Sequence, residues 1–106
     1  MGDHPAGRVF SALADLTRRT VVEALATRDT ATATELAAEL PVTRQAVSKH
    51  LTALSSAGLV ASERRGRETH YRLTPHALDD ALDWMERVGT QWERRLAALR
   101  SRFPER

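Results

Sequence analysis

A proline at position 41 interrupts what would otherwise be one long helical pattern. Upstream, Thr32-Ala-Thr-Glu35 has the form of a capping box, in which a hydroxyl and a carboxylate satisfy backbone N–H groups at a helix start. Pro41 ends that helix because it has no N–H and disfavours helical geometry in the preceding residue. Thr43 can then cap a second helix, and Gly58 supplies its end. The segment therefore predicts a helix, a short turn and a second helix.

Two more helices are predicted before this unit. Residues 9–14 carry apolar side chains at helical spacing. The preceding residues, Met1–Pro5, have no periodicity and are expected to be a frayed start. Asp15 can cap the second helix, which should end near Asp29.

After Gly58 the pattern changes to that of a β-hairpin. Leu59–Glu63 and Thr69–Leu73 are short, partly alternating segments on either side of Gly66, which allows a positive φ at the turn. Three arginines cluster at this tip, namely Arg64, Arg65 and Arg67. Because like charges repel and add nothing to local stability, an external anion is their natural partner. A solvated loop tip is the alternative.

The last helix is predicted to begin at Thr74-Pro75, with the threonine as cap and the proline in the first turn, and to reach Arg102. At 1.5 Å per residue it would be about 40 Å long, whereas a domain of this size has a radius of gyration of about 13 Å. Part of the helix must therefore project beyond its own core. An apolar stripe follows it at steps of three and four residues, formed by Leu78, Leu82, Met85, Val88, Trp92, Leu96, Leu99 and Phe103. A second copy of the chain is the simplest cover for this stripe.

Composition narrows the class of protein. A length of 106 residues suits a single domain spanning residues 1–106. No cysteine is present, which excludes disulfides and thiolate metal sites. No apolar run is long enough for a membrane span or a secretory signal, so we expect a soluble cytoplasmic protein without a membrane partner. No glycine-rich phosphate loop, nucleophile motif or metal-ligand spacing occurs, so we expect no enzyme.

The net charge of +2 is too small to identify a nucleic-acid partner, but its distribution is informative. Thr43–Arg72 contains six basic and two acidic residues, a local excess of +4. Within Thr43–Ala57, the apolar residues share one face and polar side chains occupy the opposite arc, where they can reach base edges and phosphates. The predicted DNA contacts are Thr43, Arg44, Gln45, Ser48, Lys49, His50, Thr52, Arg64, Arg65 and Arg67.

Several of these segments together resemble the ArsR family of bacterial winged-helix repressors. The resemblance covers about residues 8–100, and its most specific part is Val47-Ser-Lys-His-Leu51 followed by Ala57-Gly-Leu-Val60. It departs from the family at Leu16, where proline is usual, which affects the sharpness of the first corner between helices. The other matching segments are Ala12-Leu-Ala-Asp15, Thr17-Arg-Arg19, Glu35-Leu-Ala, Leu54, Arg65-Gly-Arg67 and Tyr71-Arg-Leu73.

The resemblance implies a mainly α fold with a two-stranded β-wing: a winged helix-turn-helix with five helices. It also implies a homodimer, joined through the first and last helices, that binds double-stranded DNA at an inverted repeat and represses transcription. The recognition helices would enter successive major grooves about 34 Å apart, with the wings toward the flanking minor grooves. The implied dimer interface contains Phe10, Leu82, Met85, Val88, Gly89, Trp92, Leu96 and Leu99.

Many members of the family release DNA when they bind a metal, so the corresponding positions matter. The Cys-x-Cys pair of arsenic and cadmium sensors falls on Thr32 and Thr34, and neither binds a soft ion. The ligands of the zinc sensors fall on Pro75, Ala77, Val88 and Gln91. We therefore expect no metal and no other cofactor, while a small-molecule or protein effector stays open.

Three alternatives remain at this level. His76 with Asp79, Asp80 and Asp83 could form an unusual metal site, or simply cap and solvate a helix start. Trp84 and Trp92 could line a ligand pocket, or pack in the core or the interface. The whole chain could be a winged helix used for protein–protein interaction, because a fold does not fix a function.

Overall fold

A computed structural model describes residues 5–103. The helices are α1 (Pro5–Ala12), α2 (Leu16–Ala26), α3 (Ala33–Glu39), α4 (Arg44–Ser56) and α5 (Asp79–Arg102). Between α4 and α5, strands β1 (Val60–Arg65) and β2 (Glu68–Leu73) pair antiparallel, from Val60 opposite Leu73 to Arg65 opposite Glu68. The five helices and the two-stranded hairpin confirm the predicted fold class.

Local cap signals determine where three of the helices begin. The Asp15 carboxylate accepts from the Arg18 backbone N–H at 3.0 Å, and the Thr43 hydroxyl accepts from that of Ala46 at 3.1 Å. Both halves of the predicted capping box form: the Thr32 hydroxyl accepts from Glu35 N–H, and the Glu35 carboxylate accepts from Thr32 N–H. The predicted starts of α2, α3 and α4 are therefore confirmed.

The turn between α3 and α4 follows from Pro41. Leu40, the last residue before it, has an extended conformation with φ −112° and ψ 150°, as the steric demand of the proline ring requires. The first turn of α4 then starts at Arg44. Gly58 and Gly66 both have positive φ values, of 80° and 62°, where helix α4 ends and where the hairpin turns.

The core lies between α2, α3 and α4 and is closed by the base of the hairpin. Its largest fully buried side chains come from these three helices, while Leu59 and Val60 at the start of β1 extend it. Burial of such side chains contributes about 1.5–3 kcal/mol each. The fully buried set is Val21, Leu25, Leu36, Val47, Leu51 and Leu54.

One residue of the loop before α3 is tied to the hairpin. Ala31 N–H donates to the Tyr71 carbonyl at 3.0 Å, and Tyr71 N–H donates to the Ala31 carbonyl at 2.8 Å. Ala31 is completely buried. Tyr71 thus bonds the loop from the edge of β2 that faces away from β1, and the hairpin is fixed to the entrance of the helix-turn-helix.

The predicted start of the last helix at Thr74-Pro75 is wrong, since α5 begins at Asp79. His76 has a φ of 62°, a left-handed conformation that an α-helix cannot include. Thr74 does not cap the helix; its backbone N–H donates to the Leu59 carbonyl at the base of the hairpin. At the other end of the chain, Pro5 is the first residue of α1 and not part of a frayed start. Residues 1–4 of that predicted frayed segment lie outside the described part of the chain.

Helix α5 projects from the remainder of the molecule, as predicted. Its 24 residues span about 36 Å, and the molecule measures 64 × 28 × 24 Å. Among the α5 side chains, all of them within the described part of the chain, Ala81 alone is buried. Helix α1 packs against the first turns of α5, where Phe10 meets Trp84 edge-on with ring centroids 5.4 Å apart.

Candidate nucleic-acid interface

Helix α4 divides into a buried face and a polar outer face. Val47, Leu51 and Leu54 are fully buried, which turns the opposite arc toward solvent. Arg44, Gln45, Lys49 and Thr52 of the predicted contacts are exposed there, and Ser48 and His50 are half-buried at the edges of the arc.

Two of the predicted contacts on α4 also have structural partners. The Thr43 hydroxyl caps the helix, and the Thr52 hydroxyl donates to the Ser48 carbonyl at 3.0 Å. His50 lies near the cap of α2. The hydrogen bond from the Arg18 backbone lowers the pKa of Asp15, and the nearby charges of His50 and Arg18 lower it further. One edge of α4 is thus electrostatically linked to α2.

The three arginines of the hairpin differ in their surroundings. Arg64 donates from Nε to the Gly66 carbonyl at 3.2 Å and from Nη1 to the Thr69 hydroxyl at 3.3 Å. Arg65 forms an exposed ion pair with Glu63 at 3.1 Å. Within residues 5–103 no hydrogen bond or ion pair holds the Arg67 side chain, which leaves its donors available.

The structure brings the helix and the hairpin together at one groove of about 200 Å³. Arg44 and Ser48 from α4 line one side, and Arg64 and Arg67 from the hairpin line the other. Glu68 is the one carboxylate among the described residues of its wall. We call this the helix–wing groove. Because a basic, polar groove between two elements fits a phosphate backbone, it is the candidate site for nucleic acid.

Sequence reasoning missed part of this groove. Thr32, Ala33 and Thr34 at the start of α3 and Thr69 and Tyr71 of β2 also line it. They reach it because the pairing of Ala31 with Tyr71 draws the start of α3 against β2. An isolated bridge between two single residues leaves no periodic pattern in the sequence, so the sequence did not indicate this contact.

The surface formed by the predicted dimer residues is largely exposed. Taking 100° per residue, Leu82, Met85, Gly89, Trp92 and Leu96 fall within an arc of about 80° on α5. Leu82, Met85 and Trp92 are 54%, 46% and 65% exposed, and Phe10 and Leu99 are also exposed. Val88 and Leu96 are intermediate. This surface, which we call the α1/α5 face, has no cover within the described part of the chain.

Residues 5–103 contain no cluster of three or more histidine or acidic side chains arranged to hold a metal. Of the histidine and the three aspartates considered above as a metal site, His76 and Asp79 are in contact, with Nδ1 and Oδ2 3.2 Å apart. No helix in the same range is long and apolar enough to cross a bilayer.

A buried core, a helix-turn-helix and a basic wing beside the second of its helices define the class of winged helix-turn-helix transcription regulators. A family model described as a helix-turn-helix domain matches residues 13–63. The transcriptional repressor SdpR of Bacillus subtilis (strain 168) is 32% identical over 77 residues, which cover 73% of this chain and 84% of that protein. The regulator Rv2034 of Mycobacterium tuberculosis (strain ATCC 25618 / H37Rv) is 48% identical over 71 residues, covering 67% and 65%.

Solved structures match over most of the chain. An ArsR-like transcriptional regulator from Rhodococcus sp. RHA1 has a TM-score of 0.79 at 42% identity, with 92% of this chain and 91% of that one covered. A homodimeric winged helix-turn-helix DNA-binding domain from Mycobacterium bovis has a TM-score of 0.65 at 25% identity, with 82% and 80% covered. The chain therefore belongs to the ArsR family of winged-helix transcription regulators. Its relatives are named as regulators, a class that is not enzymatic.

Proposed function

We propose that this protein is a homodimeric repressor that binds an inverted-repeat operator in double-stranded DNA. Helix α4 reads the major groove, the hairpin serves as the wing toward the flanking minor groove, and α1 and α5 join the two copies. The DNA contacts are the ten residues predicted from the sequence, which lie at the N-cap and on the polar arc of α4 and on the wing. This activity requires access to the chromosome, which in a bacterium lies in the cytoplasm.

The helix–wing groove is the observation that supports this function most directly. Arg44, Arg64 and Arg67 converge on it from two elements against a single carboxylate, Glu68. Arginines placed together without matching acids repel one another, so the arrangement is stabilised by an external anion. A duplex supplies such anions at regular spacing, and the polar arc of α4 lies next to them.

The α1/α5 face supports the dimer. Its exposed apolar side chains form a continuous stripe along a helix that leaves its own core, and the Mycobacterium bovis relative with the same fold is homodimeric. Two-fold symmetry would bring the same stripe from each copy together. An inverted repeat in DNA has the matching symmetry.

Fluorescence anisotropy tests whether the protein binds an operator. The binding of DNA from upstream of the gene is measured over a series of salt concentrations. We expect affinity to fall steeply with salt and to exceed that for a scrambled duplex of equal composition. Salt-insensitive or absent binding to all duplexes would instead support the protein–protein interaction module. Equal, salt-sensitive binding to both duplexes would show a DNA-binding protein without an operator, contrary to the proposal.

We further propose that metal does not control this regulator. The support lies in the side chains: Thr32, Thr34, Pro75, Ala77, Val88 and Gln91 occupy the family's metal-ligand positions. Protein incubated with zinc and then desalted should retain well under one equivalent per dimer by elemental analysis. Stoichiometric zinc, or release of DNA by micromolar zinc, would overturn this part of the proposal.

A further inference from the structure

An apolar cavity of about 250 Å³ lies beneath the segment that joins the wing to α5. Its apolar wall comes from three parts of the fold: α2 contributes Val22, the base of the hairpin contributes Leu59 and Leu73, and the connecting segment contributes Ala77 and Leu78. Leu59 is buried, whereas Leu78 is 42% exposed and forms the rim. The cavity therefore has an apolar floor and an open mouth.

Polar atoms lie at one side of this mouth. His76 and Asp79 both line the cavity, with Nδ1 and Oδ2 3.2 Å apart. When Nδ1–H donates to the carboxylate, the neutral imidazole presents Nε2 as an acceptor. The second oxygen of Asp79 is also an acceptor. A ligand that hydrogen-bonds to these two acceptors brings a donor, whereas a ligand carboxylate would meet the negative charge of Asp79.

We propose that this cavity is an effector site for a small apolar molecule that carries an amino or hydroxyl group. Apolar cavities of about 150 Å³ accept benzene, so this one suits a molecule of about ten non-hydrogen atoms. Its occupant would touch the hairpin base and the residues immediately before α5 at once. The site is thereby placed to couple the position of the wing to the helix that carries the α1/α5 face.

The connecting segment has features of a movable wall. His76 is held at a φ of 62°, a conformation sparsely populated by non-glycine residues. A second hollow of about 400 Å³ is also lined by this segment, through Pro75, His76 and Ala77 among others. Since the segment borders both hollows, we expect an occupant of the cavity to shift it.

The binding test uses three phenyl compounds of similar size: 2-phenylethylamine, 2-phenylethanol and 3-phenylpropionate. Titrations of the full chain, followed by ¹H–¹⁵N correlation spectra, should show the amine and the alcohol shifting the amides of Val22, Leu59 and Leu73. The carboxylate should bind at least about tenfold more weakly. Shifts at other places in the molecule, equal binding of all three compounds, or no binding would overturn the site.

Matched variants assign the binding to this cavity. Asp79→Asn should weaken binding of the amine by about threefold. Asp80→Asn, one residue away and outside this cavity wall, should leave the affinity for the amine unchanged. Ala77→Leu should fill the space and abolish binding, and Val22→Leu provides a second filling variant if the first does not fold. If Asp79→Asn and Asp80→Asn weaken binding of the amine equally, the effect arises from the general surface charge and not from a contact with Asp79.

The coupling to DNA rests on the proposed function and is measured separately. Saturating 2-phenylethylamine should change the affinity for the upstream duplex by about fivefold or more in the wild type, with no change in Ala77→Leu. If the ligand shifts the amides around the cavity but does not change the affinity for DNA, the coupling is overturned while the binding site still stands. Absence of DNA binding under all conditions would instead contradict the proposed function, whatever the spectra show.

Discussion

Arg64 and Arg65 are adjacent in β1 yet lie in different surroundings. Successive side chains of a strand alternate between its faces, so Arg64 lines the helix–wing groove while Arg65 pairs with Glu63. Arg67 also lines the groove and has no hydrogen bond or ion pair within residues 5–103. The three arginines, which looked equivalent in the sequence, should therefore contribute unequally to DNA binding.

This difference predicts distinct effects of single substitutions. Arg67→Ala should weaken binding to every duplex and reduce the slope of log affinity against log salt by about 1, because one phosphate contact is lost. Arg65→Ala should have a smaller effect, since Glu63 already neutralises that side chain. Anisotropy titrations at several salt concentrations measure both. A larger loss in Arg65→Ala than in Arg67→Ala would contradict this assignment.

Gln45 should act in another way, through sequence preference. It is exposed on the outer face of α4, and its amide can bond adenine through two atoms. Gln45→Ala should reduce the preference for the operator over a scrambled duplex while the salt slope stays the same. A competition assay with single-base operator variants would locate the affected position. A uniform loss on all duplexes would show that Gln45 contacts the backbone.

Glu35 gives the capping box a pH dependence. The hydrogen bond from the Thr32 backbone lowers the pKa of Glu35 below its ordinary value of 4.5. The stability it provides is thus fully present above that value and is lost as the pH falls through the lower pKa of the folded state. Glu35→Gln should flatten the fall in melting temperature as the pH drops below 4.5. The exposed Glu23→Gln serves as control, and equal profiles for the two variants would be inconsistent with this account.

The helix boundaries that the sequence predicted correctly are those that local chemistry determines. Asp15, Thr32 and Thr43 each begin a helix through a bond to a backbone group three residues away. Pro41 breaks the helix through its own ring. Such signals act within a few residues, so they can be interpreted without the tertiary structure.

The elements that were missed depend on contacts between distant residues. Thr74-Pro75 is a good start signal for a helix, but Thr74 bonds back to Leu59 and His76 adopts a left-handed conformation instead. The pairing of Ala31 with Tyr71 joins residues 40 positions apart. The polar arc of α4 was predictable from its period, whereas the groove it shares with the wing required the folded chain.

Gly89 has a role that the single chain does not explain. It costs a helix about 1 kcal/mol relative to alanine, and a Cβ at this position would meet no atom within 4 Å. We therefore expect Gly89 to permit close approach of two α5 helices. Gly89→Leu should weaken dimerisation and DNA binding together, as measured by sedimentation and anisotropy. Gly89→Ala is the smaller matched change, and an intact dimer in Gly89→Leu would exclude the close approach.

The shape of the whole molecule is set by α5, which extends beyond the core. The radius of gyration is 18.4 Å, well above the value of about 13 Å typical of a compact chain of this length. The excess arises because most of α5 lies outside the core. Because most helical stability comes from packing, we expect α5 to gain stability when the proposed dimer forms.

The melting temperature should accordingly rise with protein concentration, as expected when folding and association are coupled. Trp92→Glu places a charge at the centre of the α1/α5 face and should lower the melting temperature and remove its concentration dependence. Gln91→Glu adds the same charge beside it, outside the stripe, and should leave both unchanged. Calorimetry over a hundredfold range of concentration would distinguish the two variants. A concentration-independent melting temperature in the wild type would argue against the dimer.

We expect the two backbone bonds between Ala31 and Tyr71 to determine how the half of the molecule that contains the helix-turn-helix opens. The amide of Tyr71 donates to the carbonyl of the fully buried Ala31, so this bond protects it from solvent. The Tyr71 amide should therefore exchange with deuterated solvent as slowly as the slow amides of α4, whereas the amides near Gly66 should exchange early. The base of the wing and the helix-turn-helix would then form one cooperative unit of unfolding, with the tip alone able to fluctuate on its own.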